Sequence, residues 1–371
     1  MISKGFEKVA DNFNNLLQNE PRGSAAQVAI YFQGNLVADL SGGASGSPAV
    51  SPETPFLCYS VSKAFTAVAI MHLMERGRLE LDAPIGRYWP EFAQRGKETA
   101  TIRHALLHQA GIPAPHLQRQ VFTWPFWGLV TRGVAREPAQ FVPGSQSAYH
   151  LVNFGFILGE VVRRVSGLPV DVYLQRTFFG PLEMKNTWMR IPARELRRSP
   201  RLITQSDEMK KAAHIFNLTI IRRSLLPAAG LHSTAVELGR FFQMLLNGGE
   251  YAGKRYLQPE TIDLAAQSHY DGYDAYIKSD INWGLGLIMG GGTHLPPEPR
   301  SWVMGYGSSE ATFGALGMGT CMVWADRRAR LVTAFTCNRM LGEPEVAHRW
   351  AAVSNSVWDC VSQVGLKISM S

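Results

Sequence analysis

One stretch of this sequence limits the possible folds more than any other: Ala64 to Met74, AFTAVAIMHLM, is apolar nearly all round. A helix without a polar face has nowhere to meet water, so it must be enclosed by other elements. It is also far too short to cross a bilayer, which takes about 20 residues. Glu75-Arg76-Gly77 follows, and glycine there suits a left-handed C-terminal cap. Ser60-Val61-Ser62-Lys63 precedes it, so the run predicts a buried helix with Ser60 and Lys63 three apart on one face at its start.

Enclosing such a helix takes a large core. The chain has 371 residues, 46% apolar and 18% charged, which supplies that core and excludes a disordered protein. Phe6, Val9, Phe13, Leu16 and Leu17 recur at helical spacing, with acids between them, so the N-terminus reads as an amphipathic helix and not as a secretory segment. Gln27 to Gly43 reads as a hairpin around Gln33-Gly34-Asn35. A second hairpin pairs Cys321–Asp326 with Arg330–Cys337, and a helix carrying Val346, Trp350, Val353 and Val357 follows. From about residue 81 to 225 the sequence is helical and loop-like, with little strand alternation. The expected fold class is α+β in the form of an α/β sandwich: an antiparallel sheet flanked by helices, with an inserted helical subdomain. The sheet part takes residues 1–80 plus 226–371, the insert 81–225, and the active site the cleft between them.

Several chemistries find no support. Cys58, Cys321, Cys337 and Cys360 show no CxxC and no Cys/His ligand spacing, so they read as buried thiols and neither a zinc site nor a disulfide scaffold is expected. GxSxG, HExxH, a Walker loop and a GxGxxG after a strand are absent, and no metal or cofactor is called for. Without a visible export signal or a membrane span, the expected location is the cytoplasm. The formal charge of +7 is concentrated between Lys185 and Arg223, which holds ten Lys/Arg against three acids. That segment is either a solvated basic face or a docking surface for an acidic partner such as a carrier protein. Nucleic acid is not expected, because aromatic residues are not interleaved with these charges.

Serine is a poor nucleophile until a base takes its proton. Lysine can be that base if partial burial disfavours its charged form, and the positive end of a helix N-terminus favours an alkoxide or oxyanion. Ser60 and Lys63 fit this chemistry, although an N-cap serine followed by a solvated lysine has the same letters.

The surrounding residues are more specific. Phe56-Leu57-Cys58-Tyr59-Ser60-Val61-Ser62-Lys63-Ala64-Phe65-Thr66, then Gly77-Arg78-Leu79-Glu80-Leu81-Asp82-Ala83-Pro84, Leu106-Leu107-His108-Gln109-Ala110-Gly111, Pro143-Gly144-Ser145 ahead of Tyr149, Gly230-Leu231-His232-Ser233 and Trp283-Gly284-Leu285-Gly286 occur in one order along the chain. In that order the chain resembles the serine β-lactamase-like family, and within it the class C β-lactamase-related esterases known as class VIII carboxylesterases.

The resemblance implies a β-lactamase/transpeptidase-like fold and an acyl-enzyme on Ser60, with Lys63 as base and Tyr149 as proton shuttle. A packed tyrosine at a turn is the plainer reading of Tyr149. The family's third motif, Lys-Thr-Gly or His-x-Gly on a strand beside the site, aligns with Ala315-Leu316-Gly317, so Ala315 stands where a polar side chain is usual. Hydrolysis of β-lactams is then not expected, whereas an oxyanion hole of the Ser60 and Met318 backbone N–H groups needs no side chain. Tyr306, Ser308 and Ser309 are candidates to replace the missing group. Ala315, Gly317 and His150 are placed at the substrate pocket. Trp124 and Trp127, in Phe122-Thr123-Trp124-Pro125-Phe126-Trp127, wall either that pocket or the core of the helical part. The expected activity is hydrolysis of small esters. The alternatives are acyl transfer to an alcohol or amine, a cell-wall peptidase, and a binding protein that has lost catalysis.

Overall fold

The computed structural model describes residues 1–113, 121–291 and 303–369. Twelve strands occur in it: β1 (Ala25–Phe32), β2 (Asn35–Gly43), β3 (Phe56–Leu57), β4 (His232–Ser233), β5 (Glu250–Tyr251), β6 (Lys254–Arg255), β7 (Tyr270–Asp274), β8 (Ser279–Trp283), β9 (Ile288–Met289), β10 (Thr312–Gly317), β11 (Cys321–Asp326) and β12 (Leu331–Cys337). Eight form one antiparallel sheet in the order β2-β1-β12-β11-β10-β9-β8-β7. The β1–β2 turn places Gln33 and Gly34 at φ 51° and 86°, the backbone twist that closes a two-residue hairpin. β1 pairs with β12 from Ala26↔Cys337 to Phe32↔Leu331, which joins the two ends of the chain in one sheet.

The sheet is covered on both faces. α1 (Glu7–Gln18) and the C-terminal helix Glu345–Ser369 enclose Val28, Ile30, Trp324 and Phe335 with Phe6, Phe13, Trp350 and Val357 on one side. α2 (Ser62–Glu75) and the helix Ala235–Leu246 enclose Ala29, Tyr31, Phe313 and Ala334 on the other. Neighbouring residues of β1 and β12 thus enter opposite cores, which is why these strands are apolar throughout and do not alternate. Between residues 81 and 225 the described residues form helices, turns and isolated bridges, with no strand.

α2 is the central helix its composition demands. Every residue from Ser62 to Leu73 is buried, and Phe65 stacks on Phe241 with ring centroids 4.1 Å apart. It ends in a Schellman motif: Arg78 N–H reaches Leu73 C=O, Gly77 N–H reaches Met74 C=O, and Gly77 has φ 65°. Gly286 lets a loop lie directly on the helix, since a Cβ there would come within 2.3 Å of Ala67 Cβ. No helix among the described residues is long and apolar enough to cross a membrane.

Candidate active site

The nucleophile candidate stands where the chain turns into α2. Tyr59, immediately before it, holds φ 45°, uncommon for a residue with a side chain and a marker of local strain. The next amides close the first turn: Val61, Ser62 and Lys63 donate to the carbonyls of Cys58, Tyr59 and Ser60. Lys63 therefore follows Ser60 on the same face, and its Nζ lies 3.1 Å from Ser60 Oγ and 3.2 Å from the Ala228 carbonyl. The amine is only 4% exposed, has no carboxylate partner among the described residues, and sits 4.6 Å from the centre of the Tyr149 ring. Burial holds its pKa well below the ordinary lysine value, which shifts it toward the uncharged amine that can accept a proton.

Tyr149 closes the group, its ring under the Lys63 amine and its hydroxyl near enough to Ser60 for that side chain to act on its titration. Burial pushes the phenol above its usual value and outweighs the opposing influence of Ser60, which favours the protonated form. Its backbone N–H donates to Asp274 Oδ1 at 3.0 Å, and Asp274 Oδ2 accepts from Ser147 Oγ at 2.7 Å. The ring stacks on Trp283, 5.9 Å away and 9° from parallel, and lies 4.5 Å from the His108 ring. Trp283 Nε1 in turn donates to Ser147 Oγ.

The turn after β10 lies close by. Thr320 N–H donates to the Gly317 carbonyl at 2.8 Å, and the two residues between them, Met318 and Gly319, both have positive φ. Gly317 has no room for a side chain, because a Cβ would sit 2.1 Å from the Cys58 carbonyl oxygen. The end of β10 is thereby pressed against the segment that leads into Ser60.

A sequence model of the family described as beta-lactamase matches residues 9–356. This chain belongs to the beta-lactamase family. The esterase/beta-lactamase LipL of Mycobacterium tuberculosis is 26% identical over 344 residues, 85% of this chain and 77% of that protein. Among solved structures, a family VIII carboxylesterase superposes with a TM-score of 0.85 at 26% identity, covering 97% of this chain and 98% of the other. A penicillin-binding protein homologue from Caulobacter crescentus gives 0.81 at 26% identity, covering 97% and 98%. The motif-based resemblance and the expected fold both hold, and the chain is a serine hydrolase of this family.

In this beta-lactamase-family enzyme, the residues expected at the substrate pocket fall in different surroundings. A cleft of about 280 Å³ opens beside Tyr149 and Met318, walled by Ile281, Trp283, Ile288 and Leu316. Leu316 and Met318 line the cleft, whereas Ala315 is buried in the core that contains α2 and Gly317 is pressed against the Cys58 carbonyl. His150 is fully buried, with Nδ1 donating to Ala148 C=O and Nε2 accepting from Ile112 N–H, and burial lowers its pKa to about 4. It is a neutral strut of the framework. Trp124 and Trp127 wall a different hollow, and Trp127 Nε1 is engaged by Glu160 at 2.8 Å, so neither lines the cleft beside Tyr149.

Of the three candidate replacements for the polar group, Tyr306 hydrogen-bonds Asp359 and Ser309 hydrogen-bonds Asp326. Ser308 lines the cleft, with a buried hydroxyl that has no hydrogen-bond partner among the described residues. Asp274, His108 and Trp283 were not singled out from the sequence. His108 and Trp283 lie within the motifs quoted above, whereas Asp274, one of two acids in Tyr270-Asp271-Gly272-Tyr273-Asp274, has no local signal. The four cysteines are buried free thiols.

Proposed function

We propose that this enzyme is a carboxylesterase that hydrolyses small, uncharged esters through an acyl-enzyme on Ser60. The observation that carries this reading is the Lys63 amine, desolvated and 3.1 Å from Ser60 Oγ. The neutral amine takes the serine proton as Oγ bonds to the ester carbonyl, and the Ser60 and Met318 N–H groups hold the resulting oxyanion. The protonated lysine returns that proton through the Tyr149 hydroxyl to the departing alkoxide, the C–O bond breaks, and the alcohol leaves. Water then attacks the acyl-enzyme and loses a proton along the same route, and Ser60 is regenerated as the acid departs. Tyr149 serves as a neutral phenol that relays the proton; its raised pKa argues against a standing phenolate. Residues 81–225 act here as a helical subdomain beside the sheet part formed by 1–80 and 226–371.

The cleft supports an uncharged substrate. Its walls are largely apolar, its charged lining residues among the described ones are Glu208, Asp280 and Glu343, and none is basic. A carboxylate-bearing β-lactam finds no cation among the described lining residues of this cleft to meet it. Docking of an acidic carrier at 185–223 draws less support: Arg190, Arg194, Arg198 and Lys210 are in ion pairs with the chain's own acids, and Arg222 is buried against Ser199 and His232.

The test pairs intact-mass spectrometry after a fluorophosphonate with turnover of p-nitrophenyl butyrate and of nitrocefin, on wild type and Ser60→Ala. One adduct and ester turnover on wild type alone, with little nitrocefin hydrolysis, is the expected result. Labelling without turnover, until an alcohol in excess yields the exchanged ester, replaces hydrolysis by acyl transfer. No adduct on wild type removes Ser60 as nucleophile and leaves a binding protein.

A further inference from the structure

A hollow at the far end of α2 gathers cations of which four have no carboxylate partner among the described residues, although Arg78 donates to the Val165 carbonyl at 2.7 Å and Lys254 lies over the Tyr256 ring. Arg76 and Arg78 come from the end of α2, Arg176 from the turn 175–179, and Lys254 and Arg255 from β6, and together they line a concavity of about 660 Å³. Arg255 is balanced by Glu250 at 2.7 Å. Arg76, Arg78, Arg176 and Lys254 have no carboxylate within ion-pair distance among the described residues.

No other titratable group forms an ion pair with these four among the described residues; Glu183, which acts on Tyr256 in the wall, lies within ion-pair distance of none of them. His72 is held uncharged, its pKa lowered to about 4 by burial, with Nδ1 bonded to the Tyr173 hydroxyl at 2.6 Å and Nε2 accepting from Arg76 Nε at 2.9 Å. The Tyr256 hydroxyl donates to Pro181 C=O. Glu75 accepts from Gln258 N–H and Thr261 Oγ1. Two arginines after a helix C-terminus are accounted for by the helix dipole. Three further cations brought by two other elements into the same hollow are not.

We propose that this hollow is a binding site for a small molecule bearing two or more linked phosphates. Cations gathered without counter-charge repel one another, and a bound anion relieves that repulsion while arginine supplies paired N–H donors to phosphate oxygens. A monoanion would leave most of the charge uncompensated, whereas a diphosphate matches it. His72 orients the Arg76 guanidinium through Nε and leaves its two terminal nitrogens free of protein acceptors among the described residues. The site is separate from the reaction centre: Arg76 comes thirteen residues after Lys63 on the same helix, about 20 Å at 1.5 Å per residue. None of the five cations belongs to 185–223, the segment that concentrates positive charge along the chain.

Isothermal titration of sodium pyrophosphate into the full chain tests this, at about 50 mM and about 300 mM NaCl, with orthophosphate and sulfate in parallel. The variant is Arg176→Glu/Lys254→Glu, two exposed residues whose side chains make no hydrogen bond among the described residues, Lys254 resting only on the Tyr256 ring. The expected result is saturable one-to-one binding of pyrophosphate that weakens about tenfold or more both in the variant and at the higher salt. Ester turnover of the variant stays at the wild-type level, and wild type already labelled by fluorophosphonate binds equally well. No saturable heat at low salt overturns the proposal, as does equal affinity in the variant. Orthophosphate or sulfate binding as tightly as pyrophosphate overturns the assignment to linked phosphates.

Discussion

Lys63 and Tyr149 are moved by burial in opposite directions along the pH scale, and both moves favour the neutral form. The sign for activity follows. The base must be uncharged, so turnover is present above the lowered Lys63 pKa and is lost as pH falls through it. The acid must be protonated, and its raised pKa removes any loss of rate up to about pH 10, the usual tyrosine value. A kcat/KM profile against pH should therefore show an acid limb and a plateau on the alkaline side. A fall in rate beginning near pH 8 would contradict the neutral phenol. Lys63→Arg cannot supply an uncharged base, and kcat is expected to drop about 10²- to 10⁴-fold at every pH. Rate recovery in that variant at high pH would remove Lys63 from the role of base.

At the scale of elements, the site is an encounter between the start of α2 and the end of β10, enforced by a missing Cβ. Cys58 C=O occupies the space a side chain at 317 would need, and a backbone group cannot swing aside as a flexible side chain can. Gly317→Ala should cost about 1–3 kcal/mol of stability and lower kcat by more than that loss explains, because the strain falls on the segments carrying Ser60 and Met318. Urea unfolding together with turnover measured well below the transition separates the two effects. Wild-type kcat in a destabilised variant would show that the turn takes no part in catalysis. Asp274 works at the same scale: it ties β7 to Ser147 and Tyr149 and also accepts from the Tyr276 and Ile277 amides, so one carboxylate fixes the segment bearing the phenol.

Across the whole molecule, the two ends of the chain brace the turn beside the site. Glu20, just after α1, pairs with Arg339 at 2.8 Å and with Arg349 of the C-terminal helix at 3.0 Å, and Arg349 also donates to the carbonyl of Gly319. The Glu20 and Arg349 side chains are 8% and 5% exposed, so removing one partner strands charge in the interior. Glu20→Ala is expected to destabilise the fold by about 3–5 kcal/mol, read as a shift of the urea midpoint at constant slope. A change below about 1 kcal/mol, the range of exposed pairs, would show that the pair is effectively solvated.

Much of this protein was legible without coordinates. The uninterrupted apolar run from Ala64 to Met74 requires a central helix, Gly77 supplies its cap, and Ser60 and Lys63 share a face by helical period alone, because these properties are local. The two hairpins at the chain ends follow from short-range turn chemistry in the same way. The strands β7–β9 did not stand out: Tyr270-Asp271-Gly272-Tyr273-Asp274 is half-exposed and rich in acids, and it becomes a strand by pairing with β8. The surroundings of Ala315, Gly317 and His150 were not legible for a related reason, since the faces they present depend on what packs against each of them. Charge was the plainest case. Summed along the chain it peaked at 185–223, where folding pairs or buries half of the cations, while Arg76, Arg78, Arg176 and Lys254, far apart in sequence, meet in one hollow because only the tertiary structure brings their elements together.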